Sequence, residues 1–252
     1  LAGWLIVSRA LGYLGGLADE GGADEGLARE LALAYMKIGD IQGNGFDPNL
    51  GRPDDGLASY ARARAILGPF AASSEPATEA ALIRVDFGTG MLHWSSQAAE
   101  PAIARVRAAL QALSAKAHDP GLDGRTIARG HLVLALAYRA QNDRAAAAAA
   151  IDQMLTFARA WAARDGSAEA RYWVAIAHEE GAQQARALAG DPDLALRSQT
   201  LARDLLRALS AEVPTNAAYR RELFYSSFVA GALAGGGPND GLWSPTTGDL
   251  AA

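Results

Sequence analysis

The stretch Glu30-Leu31-Ala32-Leu33-Ala34-Tyr35-Met36-Lys37-Ile38-Gly39-Asp40 decides the fold. Taken with Leu27 before it, Leu31, Tyr35 and Ile38 fall at i, i+4, i+8 and i+11, which is one face of a helix. The spacing predicts a helix from about Asp24 to Asp40. A loop rich in Gly, Pro and Asn follows. A second helical run, Leu57-Ala58-Ser59-Tyr60-Ala61-Arg62-Ala63-Arg64-Ala65-Ile66, comes after it. It opens at Pro53-Asp54-Asp55, where proline suits the first turn and the helix dipole favours carboxylates. It stops at Gly68-Pro69. A lone helical pair of this kind cannot bury its apolar face, so it must stack on neighbours.

Degraded copies recur down the chain. Leu5, Ile6, Leu11, Tyr13, Leu14 and Leu17 predict a first helix ending at Gly21-Gly22. Ala77 to about Ser95 is a candidate helix despite Gly88 and Gly90. Glu100-Pro101 begins a clearer one through Val106, Leu110 and Leu113, closed by Asp119-Pro120. Ile127 to Ala140 follows, with a turn at Asn142-Asp143 and then Ala145 to Ala150, Ile151, Leu155, Ala158 and Trp161. The alanine run is low in complexity, and its small side chains let neighbouring helices approach. Next come Ala168 to Ala189, the turn Gly190-Asp191-Pro192-Asp193, and Leu194 to Leu209, with Leu194, Leu201, Leu205 and Leu209 on one face. Pro214-Thr215-Asn216 caps a last helix through Leu223, Phe224, Phe228 and Leu233. The expected organisation is a single all-α domain over 1–252, with approximate units 1–22, 24–70, 75–118, 122–164, 166–211 and an incomplete 214–252. No domain boundary is visible.

Composition agrees. The chain has 252 residues, 50% of them hydrophobic and 20% charged, a globular balance. Alanine, the best intrinsic helix former, dominates. Net charge is −5 and no basic cluster stands out, which argues against nucleic acid as a partner. There are no cysteines, so disulfides and thiolate metal sites are excluded while the compartment stays open. No apolar run is long enough for a bilayer, so no direct membrane insertion is expected, and no signal peptide is visible. Because the chain starts at Leu1 and not Met, it reads as a fragment or processed piece.

The helical pair at 24–70 resembles a tetratricopeptide repeat, which implies a right-handed superhelical solenoid with a concave binding surface. Anchors recur roughly every 40–50 residues, longer than the usual ~34. Several segments together resemble the C-terminal repeat region of bacterial serine/threonine protein kinase-like receptors. They are Val7-Ser8-Arg9-Ala10-Leu11-Gly12-Tyr13-Leu14, Arg29-Glu30-Leu31 with Ala34-Tyr35, and Lys37-Ile38-Gly39-Asp40-Ile41-Gln42-Gly43-Asn44. Asn49-Leu50-Gly51, Ala58-Ser59-Tyr60, and Pro214-Thr215-Asn216 with Arg220-Arg221-Glu222-Leu223 extend the likeness. It is dense over 1–70, diffuse from 75 to 210, and returns near 214–235. It implies a parent with a kinase domain and a membrane helix, neither of which is in this chain. Two departures stand out: Gly56 replaces the usual alanine, and the second pair lacks the usual Gly-Asp turn.

No constellation for catalysis survives inspection. Asp86-Phe87-Gly88 matches the magnesium-binding tripeptide of kinases. The Gly-rich loop, strand lysine and His-Arg-Asp that a kinase also needs are missing, so the tripeptide reads as a core phenylalanine beside a helix-breaking glycine. His93, His118, His131 and His178 are scattered and lack zinc-site spacing. His178-Glu179-Glu180 reads as a solvated helical face. No Gly-x-Ser-x-Gly elbow occurs. Trp94, Trp161, Trp173, Tyr172 and Tyr219 read as core more readily than as ligand anchors. Catalytic, cofactor-binding and metal residues are therefore expected to be none.

The loop Gly43 to Arg52 is the main candidate site. Asp40, Asn44, Asp47, Asn49, Asp54 and Asp55 supply oxygens, but glycine is missing at the sixth position and no Glu closes a calcium loop. The loop reads as a compact turn with Phe46 or Leu50 pinning it to the helices. Gly236 to Thr247, containing Leu242-Trp243, sits at the equivalent place in the last repeat. Insertions on one face often border a repeat protein's binding surface. The candidate partner-binding residues are Asn44, Phe46, Asp47, Asn49, Leu50, Arg52, Leu242 and Trp243. The expected function is a protein- or peptide-binding module taking its partner in the concave groove. The alternative is a ligand-sensing extracytoplasmic domain of a receptor kinase; an independent enzyme comes last. Without a receptor attachment the chain would be cytoplasmic. Apolar Trp4-Leu5-Ile6 and Leu242-Trp243 lie at both ends, where a solenoid needs polar caps, so self-association through exposed ends is a further expectation.

Overall fold

The computed structural model describes residues 2–20, 24–114, 122–186 and 190–235, and of 2–6 and 17–20 the backbone alone. The described residues form ten α-helices and no strand. The helices are α1 (Ala2–Glu20), α2 (Glu25–Gly43), α3 (Pro53–Leu67), α4 (Pro76–Ser95) and α5 (Ala99–Ser114), then α6 (Gly124–Ala140), α7 (Arg144–Asp165), α8 (Ala168–Gln184), α9 (Pro192–Glu212) and α10 (Ala217–Leu233). A single 3₁₀ turn, Gly68–Phe70, ends the α3 run where Gly68-Pro69 predicts a stop. None of the described helices is long and apolar enough to cross a membrane.

Local chemistry sets the helix starts. Asp24, Asp123, Ser167, Asp191 and Asn216 are N-caps whose side chains accept from backbone N–H groups of the first turn. Such a cap satisfies donors that the helix itself cannot, for about 1 kcal/mol each. Asn142 closes the turn after α6 with φ +58, a left-handed conformation that Asn tolerates.

The chain divides into two compact units, Leu1–Asp143 and Arg144–Ala252. The expected unit 122–164 thus holds α6 of the first and α7 of the second. In the first unit α2 packs on α3, α4 on α5, and α5 on α6. Moreover α2 packs on α4 and α4 on α6, so alternate helices lie side by side with α3 and α5 behind them. That is the stacking of helical pairs. In the second unit each helix packs on the next, from α7 through α10.

The first unit's core is built around Tyr60, with Ala32, Tyr35, Met36, Ala63, Leu67, Ala81, Val85 and Leu92. Tyr60 is 3% exposed. Its ring lies against Gly39 of α2 and Gly88 of α4, and a β-carbon on either glycine would overlap it. A β-carbon on Gly56 would sit 2.7 Å from Leu92 and 2.8 Å from the Gly39 carbonyl. The absence of a side chain at Gly56 therefore lets α2 and α3 touch there. Gly88 does not break α4, which continues through it to Ser95. Phe87 is fully buried, and its ring occupies the space a side chain at Gly130 would need. Asp86 pairs with Arg64 and Arg105. The tripeptide's phenylalanine is a core residue, as expected, but its glycine is a contact point.

Trp161, Trp173 and Tyr219 are buried, in agreement with the core reading. The leucine stripe of α9 is not uniformly buried. Leu209 is in the core, but Leu194 and Leu201 are exposed, and Ala195, Gln199, Ala202, Leu206 and Leu209 form the inward face. On α10 Phe224, Tyr225 and Phe228 are exposed as well.

Gly88→Ala forces a methyl into the Tyr60 ring. Overpacking typically costs about 1–3 kcal/mol, set against roughly 1 kcal/mol gained in helix propensity. Urea denaturation followed by circular dichroism is expected to show net destabilisation. An equal or higher midpoint would mean that α3 and α4 separate freely there.

Candidate partner-binding loop

The segment between α2 and α3 is irregular in backbone but densely bonded. Asn44, 3% exposed, is its centre. The Asn44 amide Nδ2 donates to Asp40 Oδ1 at 3.1 Å, and its Oδ1 accepts from the Phe46 N–H at 3.1 Å. Its carbonyl accepts from Asn49 Nδ2 at 2.8 Å and from the Asp47 N–H at 3.2 Å. Asn49 also donates to the Asp47 carbonyl and accepts from the Gly51 N–H at 2.7 Å. Leu50 N–H donates to the Ile41 carbonyl, and Arg52 N–H to that of Gln42. Asn side chains here replace the regular ladder by bonding the nearby backbone.

Longer contacts tie the loop to other helices. Gly45 N–H donates to Ser95 Oγ of α4 at 2.9 Å. Arg129 of α6 grips Asp47 with both terminal nitrogens, at 2.6 and 2.9 Å, and lies 5.8 Å over the Phe46 ring. Two parallel bonds to a carboxylate fix geometry as well as energy. Bonding to Arg129 holds the Asp47 carboxyl below its usual range, against partial burial. Asp40 is pushed the other way, because burial outweighs the bonds from Asn44 and Tyr60. Tyr60 Oη donates to Asp40 Oδ1 at 3.0 Å, and burial with the Asp40 charge raises the phenol well above its ordinary range.

Of the eight candidate residues, six lie in this loop. Asn44, Phe46, Asp47 and Asn49 are occupied by the bonds above. Arg52 pairs with Asp55 at 2.6 Å. Leu50 is 40% exposed, with Ile41 at 44% on the same rim. Leu242 and Trp243 lie outside the described residues, as does His118, and Trp4, Leu5 and Ile6 are described in backbone alone. Sequence reasoning missed Arg129 and Ser95. They stand 82 and 50 residues from their loop partners, and no local spacing could announce them. Among the described residues no group of three or more His, Asp or Glu side chains is placed to hold a metal ion. Burial lowers His93, His131 and His178, with His131 brought to about 4.

The expectation of a solvated face at His178-Glu179-Glu180 is overturned. His178 is 9% and Glu179 5% exposed. The cause is the position of α8, which packs on both α7 and α9 while Glu179 meets α10. Burial and the Glu222 carboxylate push Glu179 up to about 8, against a hydrogen bond from Ser226 and with Glu180 adding to the rise. Gln199 Nε2 of α9 donates to Ser226 Oγ at 2.8 Å. Gln199 and Ser226 thus join α9 to α10, with the Glu179 carboxyl of α8 close to Ser226.

No protein-family model matches the chain, and no curated protein matches it.

Two outcomes follow from these polar networks. Asn44→Ala strips the Asp40 carboxylate of a donor and the Phe46 N–H of its acceptor, which is expected to cost about 1–3 kcal/mol in urea denaturation; an unchanged midpoint would show the loop to be held by other bonds. Glu179 holds, when folded, a proton that the unfolded chain releases near pH 4.3. Its contribution is therefore complete below that pH and is lost as pH rises towards about 8. Glu179→Gln is expected to flatten the fall in stability between about pH 5 and 8. Melting curves across that range that are parallel for both chains would refute it.

Proposed function

We propose that the chain is a non-catalytic, protein- or peptide-binding helical-repeat module of the tetratricopeptide type. The observation that carries this reading is the loop between α2 and α3. It is bonded to α4 and α6, yet its Leu50 is exposed, as is Ile41 beside it in the last turn of α2. A rim fixed in this way binds at low cost in ordering, which is where preorganised recognition gains its affinity. Function-bearing residues concentrate on loops held by a rigid scaffold. The side-by-side packing of α2, α4 and α6 supports the repeat assignment, and a right-handed superhelical winding is the expectation that goes with it. The resemblance over 1–70 and 214–235 supports reading the module as a non-catalytic piece of a larger signalling protein, with a kinase-linked parent as the leading setting.

The partner is a protein segment offering an apolar side chain to Ile41 and Leu50. A displayed random-peptide library panned on the intact chain is expected to enrich such segments. Ile41→Ser with Leu50→Ser leaves every backbone bond of the loop in place, and it is expected to weaken the enriched peptides tenfold or more. A library that enriches nothing, or binders indifferent to both changes, would sink the proposal.

A further inference from the structure

The chain holds one asparagine–glycine pair, Asn44-Gly45, and the loop between α2 and α3 requires both residues. Asn44 is 3% exposed, and its side chain must donate to Asp40 Oδ1 and accept from the Phe46 N–H, each at 3.1 Å. A short side chain with a donor and an acceptor side by side is an amide; an ionised carboxylate only accepts. Gly45 lies against α4. A β-carbon there would stand 3.0 Å from Ser95 Oγ, so the close approach to α4 excludes a side chain.

Packing has thus selected a chemically labile pair. A glycine leaves the amide nitrogen that follows an asparagine unhindered, and that nitrogen can attack the asparagine's own side chain. We infer that Asn44 is a latent site of spontaneous deamidation, held shut in the folded loop by the bond from the Gly45 N–H to Ser95 Oγ. The step balances with water as its co-reactant. The Gly45 N–H gives its proton to hydroxide, and the nitrogen attacks Asn44 Cγ. A nitrogen–carbon bond forms, the Cγ–Nδ2 bond breaks, and Nδ2 leaves as ammonia with a proton from water. Water then opens the cyclic imide. Addition at Cγ gives aspartate; addition at the backbone carbonyl carbon gives isoaspartate, with the main chain routed through the side chain.

The folded geometry opposes the first bond. Asn44 takes ψ 107, which turns the Gly45 nitrogen away from the Asn44 side chain. Ring closure needs the Asn44–Gly45 peptide to swing round, and that breaks the 2.9 Å bond to Ser95. Ser95 is itself fixed, because its hydroxyl donates to the Met91 carbonyl at 2.9 Å and so meets Gly45 as an acceptor. The reaction therefore runs only in molecules whose loop has opened locally. Conversion puts an acceptor in place of the donor that faces Asp40 Oδ1, and two carboxylates sharing one site repel. Isoaspartate also lengthens the main chain by a methylene. The loop is then released, and for good, since the ammonia has left. The inference does not depend on what the loop's rim binds.

Ser95→Ala removes the acceptor and favours α4, alanine being the better helix former. Wild-type and variant chains are held folded in mildly alkaline buffer and sampled over weeks. Peptide mapping by mass spectrometry reads the exchange of amide for acid at each asparagine. Conversion at Asn44 is expected to be severalfold faster in Ser95→Ala than in the folded wild type, and fastest in wild-type chain unfolded in urea. The other asparagines, none of them followed by glycine, are the internal reference. Equal rates at Asn44 in the two folded chains, or no acceleration in urea, overturns the inference. A rise at every asparagine together in Ser95→Ala also overturns it, because the variant would then act by unfolding and not through Gly45. Asn44→Asp carries the product's side chain, and hydrogen exchange at the Leu50 and Arg52 N–H groups is expected to quicken severalfold in it. Unchanged protection there would show that the loop survives conversion and would overturn its release.

Discussion

The burial of one phenol governs the first unit. Tyr60 is wedged where α2, α3 and α4 come together, and glycines at 39 and 88 make the room. A buried hydroxyl needs a partner, and Asp40 provides it. Asp40 is then itself a buried carboxylate and takes a second donor from Asn44. Asn44 turns the chain towards Phe46 and Asp47, and Asp47 meets Arg129. The loop's form is therefore the last link of a chain that starts with an aromatic ring in the core. Gly88 is thus linked to the loop through Tyr60, Asp40 and Asn44 in turn.

The helices were legible because their signals are local. Periodicity, Asp and Asn caps, and Gly-Pro stops act within a few residues, and the predicted starts at 24, 53, 77 and 216 fall within one residue of the observed helices. The compactness of the loop was legible for the same reason, since Asn and Gly carry their turn chemistry with them. What escaped was non-local. Arg129 reads in sequence as one arginine in the apolar run Ile127-Ala128-Arg129-Gly130, with nothing to tie it to Asp47. Glycine gave a misleading signal: Gly88 looks like a helix breaker locally, but its function is to admit a ring from another helix. Tertiary contact overrides propensity wherever the contact is closer than a methyl group allows.

The second unit solves a different problem. Its α9 stripe shows how a face can be misjudged by one residue position. Leu194, Leu201 and Leu205 repeat at helical spacing, but Ala195, Ala202 and Leu206 do so as well, one step along. Small residues won the inward face because α8 and α10 pack on that side of α9. Close packing left a buried polar line of Glu179, Ser226 and Gln199 instead of a uniform apolar core. Such a line contributes little net stability, but it penalises any register that breaks it.

That penalty bears on why α10 keeps apolar residues on its outside. Ser226 faces inward to Gln199, and its position fixes the rotation of α10 about its axis. With that rotation set, Phe224 and Phe228, two residues to either side of Ser226, are carried away from the inward face, and Tyr225 and Val229 are brought to the small depression between α8, α9 and α10. Rotating α10 to hide the phenylalanines would carry Ser226 out towards solvent and leave the buried Gln199 amide without its partner, at a cost of about 1–3 kcal/mol. The exposed row is therefore a consequence of the polar line beneath it. The surface available for recognition in this unit was decided in its core.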